Sequence, residues 1–349
     1  MRVTALEAGL AVLLIAAFVT GGGSQARDLG DTLTQLLALP LLAMALPRRP
    51  VDGLRLAAVI VAMLIAAVPA LQLLPIPHAL WEASPARAAL KQDLLAAGAE
   101  LPRTWTLTPA ATEQALWSLL PAMAAFFAAL SLAGRQHRRL AWLIVMLVIA
   151  SLVLGVVQRA LGQGSVLDLF PQWVPAFGGV FANPNHQASA LVIGGVIALG
   201  LWLDGQTSPD PRPVRHWKQW LLMACLLLCM AGLPLTDSRA GLLMVVPALM
   251  ALLLMASFSG RRGIAPRGLS RFTITAAVAV IGLCGSVAMY WFMTTVHTEA
   301  RWPMARATAD LARDLWPLGS GVGSFVPWFE QSGPDALLLA EYINHAHNE

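Results

Sequence analysis

The sequence predicts an all-α fold: a polytopic transmembrane helical bundle of about nine spans, followed by a helical segment near the C-terminal end. Hydrophobic residues make up 57% of the 349 residues and charged residues only 12%, and the mean hydropathy is +0.66. This composition excludes an ordinary water-soluble globular protein. In addition, mostly apolar runs of about 20 residues, the length that crosses a bilayer, recur along the chain.

The apolar runs number nine. Their approximate limits are 3–20, 32–47, 54–74, 114–133, 140–158, 187–203, 219–235, 240–258 and 272–294. We expect the first to be a retained span, because no small-x-small signal-peptide cleavage site follows it. The cysteines 225, 229 and 284 fall inside spans, which favours packing over disulfide or metal binding.

The placement of the basic residues predicts the topology. The N-terminus and the loops after spans two, four, six and eight hold 14 of the 23 Lys and Arg residues and four of the 19 acids. By the positive-inside rule, these segments are cytoplasmic and the residues after span nine lie outside. The net charge of +4 therefore reflects membrane topology, and we expect the lipid bilayer as a partner and no nucleic acid.

Two outer segments precede span six. The first, 75–113, contains helical spacing at 84–97 that is typical of an interfacial helix, and Thr108 with Pro109 predicts a helix start. The second contains Asn183, Asn185 and His186 around Pro184. Asn185 is a candidate cap of span six. Alternatively, the two asparagines and the histidine face an outer cavity and hydrogen-bond a polar substrate.

The short connection between spans seven and eight places Asp237 and Arg239 at the outer membrane edge. Asp237 is a candidate cap of the next helix and ion-pair partner of Arg239. Arg239 is also a candidate anion ligand, since a guanidinium binds phosphate oxygens through paired, charge-assisted hydrogen bonds.

The closing segment carries the remaining candidates. Residues 299–314, with Arg301 and Arg306, predict an outer helix that ends at Pro317. The following Gly319, Gly321 and Gly323 allow either a plain turn or a nest of amide groups that binds phosphate. His345 and His347 come last. The pKa of a free imidazole is about 6.5, which suits a general base. Either histidine is also consistent with a surface position. The spacing of the two histidines predicts no metal site.

The combined motifs resemble the O-antigen ligase and O-antigen polymerase superfamily of bacterial inner-membrane glycosyltransferases. They are FANPNH at 181–186, SRAG at 238–241, Arg301-Trp302, PLGSGVGSF at 317–325 and His347-Asn348. The resemblance covers roughly 175–349, so we expect a transmembrane scaffold at 1–174 and a catalytic domain at 175–349. Family members usually continue past the His-Asn motif, which implies that this domain is truncated at its C-terminus.

The resemblance implies a metal- and cofactor-independent GT-C-type enzyme with its active site on the periplasmic face. The donor would be a saccharide on undecaprenyl diphosphate, and the acceptor a hydroxyl of lipid A-core or of a growing glycan. Arg239 and Arg301 match the arginines proposed to hold the donor diphosphate, and His347 matches the proposed base. His345, Asn183, Asn185, His186, Gly321, Gly323 and Arg306 are second-tier candidates.

Other functions stay open at this point. Within the superfamily they are polysaccharide polymerisation and protein O-glycosylation. Outside it they are solute transport of the bicarbonate type and an inactive scaffold subunit. A transporter should place charged residues deep in its spans, and the predicted spans contain almost none, which favours an enzyme.

Overall fold

The structure is a computed structural model that describes residues 4–22, 29–45, 53–162, 164–170, 177–207, 214–248, 250, 285, 289 and 301–332. Within these ranges the chain is helical and has no named strand. One isolated antiparallel bridge joins Pro75 and Thr104. The all-α prediction is therefore confirmed for the described residues.

Twelve α-helices are described. They are α1 (Ala5–Thr20), α2 (Leu29–Ala45), α3 (Gly53–Gln72), α4 (His78–Trp81), α5 (Pro85–Ala96), α6 (Pro109–Ser131), α7 (Gly134–Leu161), α8 (Pro184–Thr207), α9 (Val214–Gly232), α10 (Arg239–Ala248), α11 (Arg301–Asp314) and α12 (Phe325–Ser332). A 3-10 turn, Pro234–Thr236, follows α9.

Five helical segments are long and apolar enough to cross a membrane: Gly53–Gln72, Pro109–Ser131, Gly134–Leu161, Pro184–Gly205 and Trp217–Thr236. Three shorter apolar helices, α1, α2 and α10, coincide with predicted spans one, two and eight. The predicted span at 272–294 lies outside the described residues except for Gly285 and Met289. The helices thus support a membrane protein, and the count of nine membrane spans stays a prediction.

The chain divides into two compact units. Unit 1 contains Met1–Ala45 and Ser131–Val296, and unit 2 contains Leu46–Leu130 and His297–Glu349. In unit 1, α8 packs against α7 and α9, and α1 packs against α2 and α7. Val148, Leu191, Cys229 and Val245 lie in its core. Cys225 and Cys229 are buried free thiols that pack among apolar side chains, as predicted.

The helix ends of unit 1 sort into two groups. At one end, the start of α7 contacts the start of α1, where Arg139 Nη2 donates to Glu7 Oε2 at 2.7 Å. Ser131 Oγ donates to the last carbonyl of α2 at 3.2 Å. At the other end, Ala182 N donates to Gly22 O at 2.8 Å. This grouping agrees with the alternation predicted from charge, and which end faces the cytoplasm remains a prediction.

Unit 2 is built around α3, α5, α6 and the segment 301–332. The segment that connects α3 to α6 meets residues 318–322 at the end of α3 and the start of α6. Pro109 begins α6, as predicted. The capping role predicted for Thr108 is wrong, because its buried hydroxyl has no hydrogen-bond partner among the described residues. The two predicted outer segments of unit 2 therefore share one end of its helices.

Candidate functional site

The start of α8 carries the asparagine candidates of unit 1. Asn185 N donates to Asn183 Oδ1 at 2.8 Å, and α8 begins at Pro184. Asn183 is therefore the cap, and the prediction that Asn185 caps this helix is wrong. The physical reason is Pro184, whose fixed φ and missing N–H suit the first helical position, so the cap is Asn183, two residues before the predicted one. Asn183 and Asn185 are half-buried and His186 is exposed.

The start of α10 carries Arg239. The chain turns at Asp237, whose φ of 54° lies in the left-handed region. Gly241 N donates to Ser238 Oγ at 3.0 Å, so Ser238 caps α10 and the prediction that Asp237 caps it is wrong. An αL residue places its side chain outside the cap geometry, which requires extended backbone. Arg239, the first helical residue, is half-buried.

The two helix starts of unit 1 pack together at Gly241. A Cβ atom on Gly241 would overlap the Cβ of Ala188 in α8. The Ser238–Gly241 motif and the Asn183–His186 motif therefore lie at the same end of unit 1. Both motifs are predicted to lie outside the membrane, and the structure brings them together within this unit.

We expect Gly241→Ala to destabilise the protein by about 1–3 kcal/mol, because neither methyl group can move without a shift of α8 or α10. Gly200→Ala is the matched control in α8, since a Cβ there meets nothing within 4 Å, and it should be neutral or stabilise by about 0.5–1 kcal/mol. The unfolding midpoint of the purified protein, followed by tryptophan fluorescence, measures both. Equal midpoints for the two variants would contradict the close packing.

A buried polar network lies beneath the start of α8. Ser151 Oγ donates to Gln187 Oε1 at 2.6 Å and accepts from Val180 N at 3.2 Å. Gln158 Nε2 donates to Gly179 O at 3.0 Å. No sequence pattern predicts this network, since Ser151 and Gln187 are ordinary polar residues within apolar runs. It fixes the loop before α8 against α7.

In unit 2, the glycine turn, defined as residues 319–324, takes the backbone form that its sequence predicts. Gly319, Gly321 and Gly323 have φ values of 68°, 102° and 84°. The turn joins α11 to α12, and Ser324 is buried at its end. All three glycines therefore occupy a region of φ that other residues avoid.

Carbonyl groups of the glycine turn and of Leu318 accept hydrogen bonds from the segment between α3 and α6 and from the start of α6. Trp105 Nε1 donates to Leu318 O at 2.8 Å, and Leu107 N to Ser320 O at 2.9 Å. Thr112 Oγ1 donates to Val322 O at 2.6 Å. The outer segment, for which the sequence predicts no chemistry, thus holds the turn in place together with the start of α6.

Arg87 in α5 makes the central contact with the glycine turn. Its Nε and Nη2 donate to Gly319 O at 3.2 and 2.6 Å, and Nη2 also donates to Trp105 O at 2.6 Å. The guanidinium lies 5.3 Å from the ring centre of Trp81, and the side chain is fully buried. Burial lowers the pKa of Arg87 to about 10, so the group stays protonated at neutral pH.

The other arginine candidates of unit 2 lie on α11, and the prediction of a helix here is confirmed. Arg301 is its first residue, and Arg306 is exposed. Beside α11 is an open cavity of about 350 Å³. It is lined by Thr308, Leu315, Gly319, Ser320, Phe325 and Trp328, among others.

The structure does not bear on every candidate. His345 and His347 lie outside the described residues. Arg239 with the Asn183–His186 motif belongs to unit 1, and Arg301, Arg306 and the glycine turn belong to unit 2. Comparison with protein-family models, with curated proteins and with solved structures found no match.

Proposed function

We propose that this protein is a membrane glycosyltransferase of the O-antigen ligase type, which transfers a saccharide from undecaprenyl diphosphate to a sugar hydroxyl. The observation that carries the proposal is the packing of the Ser238–Gly241 motif against the start of α8 in unit 1. Two of the motifs that resemble the family, more than fifty residues apart in sequence, thereby occupy one end of this unit, next to a half-buried arginine.

The glycine turn of unit 2 supports the same function. A third motif of the resemblance, residues 317–325, forms a turn in which the five carbonyl groups of 318–322 all accept hydrogen bonds from the protein. A plain surface turn has no need of a buried arginine and a tryptophan to hold it. Both units contain helices long and apolar enough to cross a membrane, which fits the bilayer location that a polyprenyl-linked donor requires.

The proposed reaction is a direct displacement. The acceptor oxygen forms a bond to the anomeric carbon while the bond from that carbon to the diphosphate oxygen breaks, and undecaprenyl diphosphate leaves with the electron pair. His347 takes the proton of the acceptor hydroxyl as general base. Arg239 and Arg301 are assigned to the donor diphosphate, where fixed cations stabilise the charge that develops on the leaving group.

Transfer by the purified protein in lipid nanodiscs tests this proposal, with undecaprenyl-diphosphate-linked saccharide as donor. We expect His347→Ala to lower the transfer rate by about 10²–10⁴-fold and Arg239→Ala by about 10²–10³-fold. His78→Ala and Arg103→Ala, which replace exposed side chains, should retain the wild-type rate. Wild-type rates in both His347→Ala and Arg239→Ala would refute the assignment.

The choice of acceptor identifies the reaction within the superfamily. Transfer to lipid A-core indicates a ligase, transfer to a second lipid-linked repeat unit indicates a polymerase, and transfer to a protein hydroxyl indicates a protein O-oligosaccharyltransferase. Uptake of bicarbonate by protein-loaded vesicles, with no transfer to any acceptor, would instead identify a solute transporter. If the protein shows neither transfer nor uptake, the result favours a scaffold subunit.

A further inference from the structure

The carbonyl groups of the glycine turn are more fully hydrogen-bonded than its amide groups. The five successive carbonyl groups of residues 318–322 all accept hydrogen bonds from the protein. The amide groups of Ser320, Gly321 and Gly323, in contrast, have no hydrogen-bond acceptor among the described residues. Backbone N–H groups need a partner, from the protein, from water or from a ligand. The turn therefore offers three amide donors close together in sequence, next to carbonyl groups at 318–322 that already accept hydrogen bonds.

The arginine that holds the turn carries a positive charge without a counter-ion among the described residues. Arg87 is fully buried, and no salt bridge within the described ranges pairs it with a carboxylate. Its Nη1 atom is buried without a hydrogen-bond partner in the described part of the chain. A buried cation without a counter-ion is unfavourable, because carbonyl dipoles only partly replace water. An anion on the glycine turn would compensate this charge.

The turn also has room beside it. Gly319 and Ser320 line the cavity of about 350 Å³ next to α11 and α12, a volume within the range of ligand pockets, about 300–1,000 Å³. The wall contributed by the helices is mostly apolar, with Leu315, Phe325 and Trp328. A ligand with an anionic group at the turn and an apolar or ring-shaped remainder fits these surroundings.

We infer that the glycine turn is a phosphate-binding nest for a lipid-linked diphosphate, with Arg87 as the positioning residue that fixes the turn and supplies the compensating charge. Several backbone N–H groups in an αL-containing turn form the concavity that binds phosphate oxygens elsewhere in proteins. Arg87 acts through Gly319 O and Trp105 O and need not touch the ligand. The identity of the ligand as a lipid diphosphate rests on the proposed function.

The test uses Val322, whose side chain is exposed and lies between Gly321 and Gly323. Val322→Asp places a carboxylate beside the amide groups, where it competes with phosphate. Val322→Asn is the control of equal size without the charge. Inorganic phosphate, inorganic diphosphate and undecaprenyl diphosphate are titrated separately into each full-length protein in nanodiscs of zwitterionic lipid. Inorganic diphosphate reports the nest alone, and undecaprenyl diphosphate reports the lipid-linked ligand.

We expect Val322→Asp to weaken binding of both diphosphates by about tenfold or more, the effect of losing one charge-assisted contact, and Val322→Asn to change it by less than about threefold. Arg87→Lys should weaken diphosphate binding by an amount between those of Val322→Asn and Val322→Asp, because lysine keeps the charge but loses the planar fork. Added salt should not cause the same loss of affinity in the wild type. Equal affinity of Val322→Asp and Val322→Asn for both ligands would overturn the inference, as would a wild-type protein that binds none of the three. A protein that transfers saccharide but binds undecaprenyl diphosphate independently of Val322 would retain the proposed function and lose the nest.

Discussion

Arg87→Ala is expected to destabilise the protein by about 3–5 kcal/mol. The substitution removes the donors of Gly319 O and Trp105 O, and each part-buried acceptor that loses its partner costs up to about 1–3 kcal/mol. It also leaves a cavity against Trp81, which adds to the loss. Release of the buried charge offsets part of this, because the lowered pKa of Arg87 shows that the protonated guanidinium is less favourable inside than in water.

The unfolding midpoint followed by tryptophan fluorescence measures the effect, and we expect a decrease of about 4–7 °C. Arg87→Met keeps most of the packing volume and relieves the buried charge, so its midpoint should lie between those of Arg87→Ala and the wild type. Arg103→Ala, an exposed arginine of the same outer segment, is the control and should not shift the midpoint. If Arg87→Ala has the same unfolding midpoint as the Arg103→Ala control, the buried contact with the glycine turn does not exist.

Gly321→Ala has the second largest expected effect, about 3 kcal/mol or more. A Cβ atom on Gly321 would overlap the hydroxyl of Thr106 and lie 3.0 Å from its Cα, and the φ of 102° is unfavourable for any residue with a Cβ. Because the obstacle includes backbone, the turn must move away from the outer segment. Thermal unfolding should show a lower midpoint, and diphosphate binding should weaken as well.

Gly319→Ala provides the matched control for Gly321→Ala. Its φ of 68° is also positive, but a Cβ there meets nothing within 4 Å. Only the backbone preference opposes this substitution, so we expect a loss of about 1 kcal/mol. A Gly319→Ala variant as unstable as Gly321→Ala would show that backbone strain, and not the contact with Thr106, limits the turn.

Local features of the sequence predicted much of the fold. Apolar runs located the membrane-type helices because lipid requires long apolar segments with satisfied backbone groups. Three alternate glycines predicted a turn, and the structure has a turn there with positive φ at 319, 321 and 323, which the missing Cβ permits. The helix caps were less accurate: Asn183 and Ser238, and not Asn185 and Asp237, cap α8 and α10. Helix limits depend on a residue-by-residue balance that a pattern does not resolve.

The partners of the glycine turn could not be predicted in the same way. Arg87 reads locally as one charge on an interfacial helix, and nothing in its neighbours indicates a buried contact with Gly319. The same holds for Ser151 and Gln187, which are polar residues inside apolar helices. Such pairs follow from tertiary packing, which one sequence does not encode in a readable pattern. The catalytic assignment of His347 rests on the resemblance, since that residue lies outside the described ranges.

The order of synthesis constrains how unit 2 can form. Arg87 and Gly319 are 232 residues apart in sequence, and the second part of unit 1 is translated between them. Translation proceeds at roughly 5–20 residues per second, so the glycine turn is synthesised on the order of tens of seconds after α5. During this interval the surface that later buries Arg87 is open in the nascent chain. Ribosome-bound chains that end before 297 should therefore be cleaved by protease between α3 and α6, and chains that extend beyond the glycine turn should be protected there.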